Sequence, residues 1–167
     1  MFRREIISHL LVSLVYFSLL LILRWRWDFS LIWLILGALA GTFLLDLDYF
    51  FFRYVHQEKV NFAGLRGEIS ERQPGLIFHT ATFQIILLVV TFYVLTSSES
   101  NFGAGLVLAM NLHLLKDELW DYWQKGEETL AKWLLWQIKD SFLQQHLKFY
   151  LIVISILFAG LSFLLIL

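Results

Sequence analysis

Residues 6–23 read IISHLLVSLVYFSLLLIL, eighteen positions with no formal charge at neutral pH beyond any proton on His9. A stretch of that length and composition crosses a hydrocarbon core as one helix. Arg3 and Arg4 precede it as the basic region of a signal peptide would. No small-residue cleavage site follows, and Arg24-Trp25-Arg26-Trp27 closes it, so the segment is expected to be retained as an anchor. The same character runs through all 167 residues, with 59% hydrophobic, 17% aromatic and a single proline. That composition predicts an all-α polytopic membrane protein, one domain over 1–167, rather than a soluble globule. A formal net charge of -1 and scattered basic residues give no electrostatic case for a nucleic-acid partner. Without cysteine there are neither disulfides nor thiolate metal ligands.

Outward from the first segment, four more are expected to span. Phe29 to Leu45 is the second, and its Gly37-x-x-x-Gly41 spacing puts two bare backbone patches on one face, where another helix can approach closely. Leu76 to Leu95 is the third, introduced by the turn signal Pro74-Gly75. The fourth begins at Phe102 and has only fourteen residues before Lys116; it crosses fully if Leu119, Trp120, Tyr122 and Trp123 carry it into the interface, and otherwise re-enters. Phe149 to Leu167 is the fifth. The predicted spans are thus about 6–23, 29–45, 76–95, 102–120 and 149–167. Between the last two, Leu130, Leu134, Ile138 and Phe142 recur at a four-residue step, which predicts an amphipathic interfacial helix over about 128–147.

With five spans, eleven of the thirteen Lys and Arg residues fall on the side of the N-terminus, all but Arg24 and Arg26. The positive-inside rule then puts the N-terminus in the cytoplasm and the C-terminus outside. All five histidines and twelve of the fourteen acidic residues lie on or near that same side.

This threading brings six ionisable groups to one leaflet. His9 sits in the first turn of the first span, Asp46 and Asp48 end the second, His79 opens the third, and His113 and Asp117 close the fourth. Such residues are expensive to keep at a membrane boundary, so they form a site hypothesis. His113 and Asp117 are four apart and share a helix face, with Asp121 a turn further on. An imidazole and a carboxylate stacked in this way can grip one divalent ion, and a mixed nitrogen and oxygen set suits zinc, manganese or iron better than calcium. Asp46 and Asp48 would diverge on a continuing helix. Both can face the site if the chain unwinds there, or if one of them orients a histidine. Glu71 and Arg72 are near enough in sequence to join His79, whereas His56, His146, Glu118 and Asp121 are expected at water or the interface. For each residue singly there is a plain structural reading: carboxylates end spans because water begins there, and a lone histidine can simply bond a neighbouring helix.

Four stretches carry a family likeness: Ser8-His9-Leu10-Leu11, Leu44-Leu45-Asp46-Leu47-Asp48, Gly75-Leu76-Ile77-Phe78-His79-Thr80, and Leu112-His113-Leu114-Leu115-Lys116-Asp117. In order and spacing, across roughly residues 7 to 121, they resemble the motifs of the YdjM-type inner-membrane proteins, described as LexA-regulated, metal-dependent hydrolases. The chain departs from that pattern at Leu45, Tyr49 and Pro74, where the family has a proline and two histidines. The resemblance implies a metal on His9, Asp46, Asp48, His79, His113 and Asp117, for which the donor set suits zinc or manganese; Asp48, and Glu71 by its nearness to His79 in the sequence, are candidate catalytic carboxylates.

Two readings therefore stand. In the first, a metal activates water against an ester or phosphoester at the cytoplasmic face, the substrate being a lipid headgroup or a small phosphorylated metabolite. In the second, the chain is a non-catalytic membrane protein whose polar or metal-binding cluster holds helices together. A transporter ranks behind both, because no internal repeat or broken mid-membrane helix is visible.

Overall fold

The structure is a computed structural model that describes residues 2–24, 29–48, 51–52, 75–138 and 144–166. Among the described residues there are six α-helices and no strand. They are α1 (Phe2–Arg24), α2 (Ser30–Leu44), α3 (Ala81–Ser97), α4 (Asn101–Lys125), α5 (Glu127–Leu134) and α6 (Leu147–Leu164). Local chemistry sets several ends. Thr80 Oγ1 accepts the Phe83 N–H at 3.2 Å to start α3, and Ser100 Oγ accepts the Gly103 N–H at 3.0 Å to start α4; each satisfies a donor that the first turn leaves orphaned. Gly126, at φ 85°, ends α4 in a left-handed conformation that side chains resist, and α5 begins at the next residue.

Helix α4 packs against all five others. Its closest neighbour is α2, where a Cβ on Gly37 would overlap the Phe102 carbonyl oxygen and one on Gly41 would overlap that of Leu106. From the other side, a Cβ on Gly105 would overlap the carbonyl oxygen of Leu34. The backbones touch, as the Gly37 and Gly41 spacing predicts; Gly105 completes the contact from α4. Helices α2 and α4 run in one direction. Helix α1 runs in the other, since His9 meets Asp117 near the start of α1 while Arg24 Nη1 reaches Asn101 Oδ1 at 3.4 Å at the opposite end of the bundle. Helices α3 and α6 follow α1. Gln84 bonds Tyr150 near their beginnings, and Tyr16 Oη bonds Ser162 Oγ at 2.5 Å further along.

Polarity is arranged from inside to outside. His9, Ser13, Thr42, Asp48, His79, Gln84, Thr91, Asn111, His113, Asp117, Glu118 and Asp121 are buried, while the outer surfaces carry Leu14, Val89 and Ile156 at 66%, 66% and 65% exposed. Water-soluble proteins seldom show so continuous an apolar exterior.

Three expectations need correction. Among the described helices only α1, over Ile7–Arg24, and α6 are by themselves long and apolar enough to cross a membrane; α2 and α3 are apolar but have 15 and 17 residues. At the helical rise, α2 is about 22 Å long, short of a typical hydrocarbon core. It stops because the chain tightens at Leu45 and Asp46. The fourth segment is a single 25-residue helix that ends at Lys125 rather than near residue 120, and its C-terminal half is charged. The interfacial helix over 128–147 is not one helix either. Helix α5 ends at Leu134, and Leu130, Trp133, Leu134 and Leu135 are buried in the core, so this segment docks on the bundle; Phe142 lies outside the described residues.

Substituting Gly105→Ala sets a methyl group against main chain with no side chain to yield. Overpacking of that kind should lower stability by about 1–3 kcal/mol, read as an earlier midpoint in denaturant titration of the micellar protein. An unchanged midpoint would mean that α2 and α4 are not in backbone contact there.

Candidate metal centre

The centre is built on the buried face of α4, where His113, Asp117 and Asp121 follow one another at successive turns. His113 Nδ1 lies 2.9 Å from the Thr42 carbonyl oxygen of α2. A carbonyl can only accept, so the proton sits on Nδ1 and Nε2 is turned toward the carboxylates. It is 3.2 Å from Asp117 Oδ2 and 3.7 Å from Asp46 Oδ1, with no hydrogen bond of its own among the described residues.

The end of α2 makes this possible. Asp46 N bonds to Phe43 O at 3.1 Å and Asp48 N to Leu45 O at 3.0 Å, three residues back in place of four, so the Thr42 carbonyl is left for His113. The Thr42 hydroxyl donates to Ala38 O at 2.8 Å and meets Ser13 Oγ at 3.1 Å, tying α2 to α1 one turn below His9. The same tightening lets both aspartates serve the site. Asp46 keeps a quarter-exposed side chain beside His113. Asp48 is buried, and its Oδ2 accepts the Phe78 N–H at 2.6 Å and the His79 Nδ1–H at 3.3 Å. It fixes the approach to α3 and orients His79, whose Nε2 lies on the far side of the ring from Asp48.

His9 closes the group. Its Nε2 is 2.7 Å from Asp117 Oδ1, to which Lys116 Nζ also comes within 3.3 Å, and its ring centroid is 3.9 Å from that of His113. Asp117 therefore divides its oxygens, one toward His9 and Lys116 and one toward His113. Two sets of three have ligand atoms all within 4.8 Å of one another: His9, Asp46 and His113, and His79, His113 and Asp117. Around a zinc ion with bonds of about 2.0–2.2 Å, ligand atoms sit roughly 3.3–3.6 Å apart, so modest side-chain movement brings either set into range. The donors fit a divalent cation.

All six expected ligands thus meet at one place, with Asp48 behind His79 rather than at the centre. Glu71, expected as a catalytic carboxylate, lies outside the described residues. His146 is exposed, as expected. Glu118 and Asp121, expected at water or the interface, are instead fully buried. Gln84 Nε2 donates to Glu118 Oε2 at 3.1 Å while Tyr150 donates to the Gln84 carbonyl oxygen. Trp133 Nε1 donates to Asp121 Oδ2 at 3.1 Å, and Lys125 Nζ is 3.2 Å from Oδ1. The four-residue step from His113 to Asp121 was a signal for one of these; the covering by α5 and α6 had none.

Compared with protein-family profiles, with curated proteins and with solved structures, the chain matches none.

Asp48→Ala removes the acceptor of two donors, one of them on a fully buried ring. It should cost about 1–3 kcal/mol, with Asp48→Asn, which retains a carbonyl oxygen, costing less. Equal denaturation midpoints for Asp48→Ala and wild type would exclude the orienting role.

Proposed function

We propose that this protein is a membrane-embedded, metal-dependent hydrolase acting on an ester or phosphoester at the cytoplasmic face, a divergent relative of the YdjM-type proteins. One observation carries the reading: His113 Nε2, its proton held on Nδ1 by the Thr42 carbonyl, faces Asp117 and Asp46 in a buried site. A lone pair set against two carboxylates is unfavourable in low dielectric, and either a proton on Nε2 or a metal cation between the three groups relieves it. The convergence of the four motifs that resemble the family supports the same conclusion.

A bound divalent ion would supply the Lewis acidity that activates water at neutral pH. The chain supplies the rest. His113 offers a single lone pair, so the two sets that share it can be served by one ion at a time. Three imidazoles with carboxylates suit zinc or manganese. Asp46, the most exposed carboxylate of the cluster, is the group placed to take a proton from water and release it to solvent; Asp48, already accepting two N–H groups, positions His79. In the membrane, the apolar exterior and the alternating helix directions favour five crossings by α1, α2, α3, α4 and α6, and the basic bias of the sequence favours N-terminus in and C-terminus out. The short α2 and α3 are accommodated by local thinning or by flanking residues.

The alternative, a polar cluster that only ties helices together, draws on the 2.7 Å His9–Asp117 contact, which joins α1 to α4 without an ion. Metal content separates the two. Detergent-purified wild type should carry close to one equivalent of zinc or manganese by elemental analysis, and the His113→Ala, Asp117→Ala double variant almost none. Metal-free wild type after growth in replete medium would eliminate the hydrolase.

His9→Ala should weaken metal binding by roughly 10 to 100-fold while the protein stays inserted. Unchanged occupancy in a folded variant would remove His9 from the site. An alkaline-phosphatase fusion after Leu167 should be active; an inactive, well-expressed fusion would contradict five crossings.

A further inference from the structure

An apolar groove of about 470 Å³ runs along the outside of the bundle, where Val12 of α1 faces Leu112, Leu119, Trp120 and Trp123 of α4. That volume is in the range of ligand sites. Three of the groove's residues, Val12, Leu112 and Lys116, also wall a tight crevice whose other lining includes His9 and His113. The groove and the metal centre are thus two sides of one seam between α1 and α4.

The seam changes character along its length. Trp120 and Trp123 stand 57% and 81% exposed, the amphipathic rings that favour the headgroup level of a bilayer. Lys116 comes next, its side chain mostly buried and its ammonium 3.3 Å from Asp117 Oδ1. An ammonium has three donors, so that one contact leaves others for a second anion at the crevice mouth. A chain that is apolar along its length and anionic at one end would match the groove in both respects.

We infer that this groove binds an anionic phospholipid from the bilayer, with an acyl chain running from Lys116 along Val12 and Leu112, the phosphate against Lys116 and the two tryptophans flanking the headgroup, beside the metal centre. Its role as substrate class rests on the hydrolase reading; its binding does not. A free phosphorylated metabolite shares the headgroup chemistry but would leave the apolar groove unfilled. The crevice is tight, and the flexible Lys116 stem is the wall that can move to let a headgroup approach His113.

The test uses the full chain in nanodiscs of phosphatidylcholine containing a minor fraction of phosphatidic acid, with co-purifying lipid counted by mass spectrometry after gentle extraction. Wild type should retain phosphatidic acid about tenfold above its share of the bilayer, the size expected of one charge-assisted contact. Lys116→Gln should abolish the preference for phosphatidic acid over phosphatidylcholine. Leu119→Trp, which fills the groove from a lipid-facing position, should reduce retention of both. No enrichment in wild type, or the same enrichment in both variants, overturns the proposal, as does displacement of the lipid by glycerol 3-phosphate at equal concentration. Metal content on the same samples keeps the two readings apart. Metal-free protein that still enriches phosphatidic acid supports the groove and removes the hydrolase, whereas metal-loaded protein without enrichment removes the groove alone.

Discussion

The backbone contact between α2 and α4 is the constraint on which the centre depends. Gly37 and Gly41 on one helix and Gly105 on the other bring main chain against main chain. At that distance the last carbonyls of α2 become accessible to side chains projecting from α4. His113 meets Thr42 O because the helices are this close; a crossing widened by side chains would break the bond and leave both tautomers available to the ring. The choice of which nitrogen faces the carboxylates is thus made by the approach of the two helices, at residues that have no polar side chain. Packing and chemistry are one problem here.

A second dependence runs through Asp117. It lies between His113 below and the pair of His9 and Lys116 above, each oxygen assigned to a different side. Helix α1 is thereby held to α4 at the level of the centre, and the Ser13–Thr42 contact holds it to α2 one turn away. Burying this many polar groups in a small bundle is tolerable because nearly all find partners. Even Glu118 and Asp121, on the C-terminal side of the centre along α4, are engaged by Gln84, Trp133 and Lys125. In a bundle with an apolar exterior such contacts carry the specificity, since apolar helix faces have little reason to prefer one another.

How far the sequence could be read follows from which signals are local. Helical character, the order of segments and the shared end of His9, Asp46, His79, His113 and Asp117 follow from lengths and spacing, because an alternating path returns every second terminus to the same side. The close approach at Gly37 and Gly41 is legible for the same reason. Less legible were events created by tertiary contact. The three-residue bonds that tighten the end of α2 turn Asp46 and Asp48 to different tasks, and nothing in Leu44-Leu45-Asp46-Leu47-Asp48 announces which aspartate faces His113. The burial of Glu118 and Asp121 depends on α5 folding back after Gly126 and on α6 closing over Gln84, contacts that no periodicity within α4 encodes. The amphipathic pattern over 128–147 was real in part, but Trp133 and Leu135 beside it supplied a larger apolar surface, and the chain buried that.

The Thr42 contact is made by main chain, so it is indifferent to the side chain at its own position. Exchanging Thr42 for another residue cannot delete the acceptor that fixes His113; shifting the α2 backbone can. The heritable control of this histidine therefore lies with Gly37, Gly41 and Gly105, residues that never touch it. A change at position 42 would cost the Ser13 tie between α1 and α2 yet keep the acceptor of His113, whereas a larger residue at any of the three glycines would move the acceptor itself.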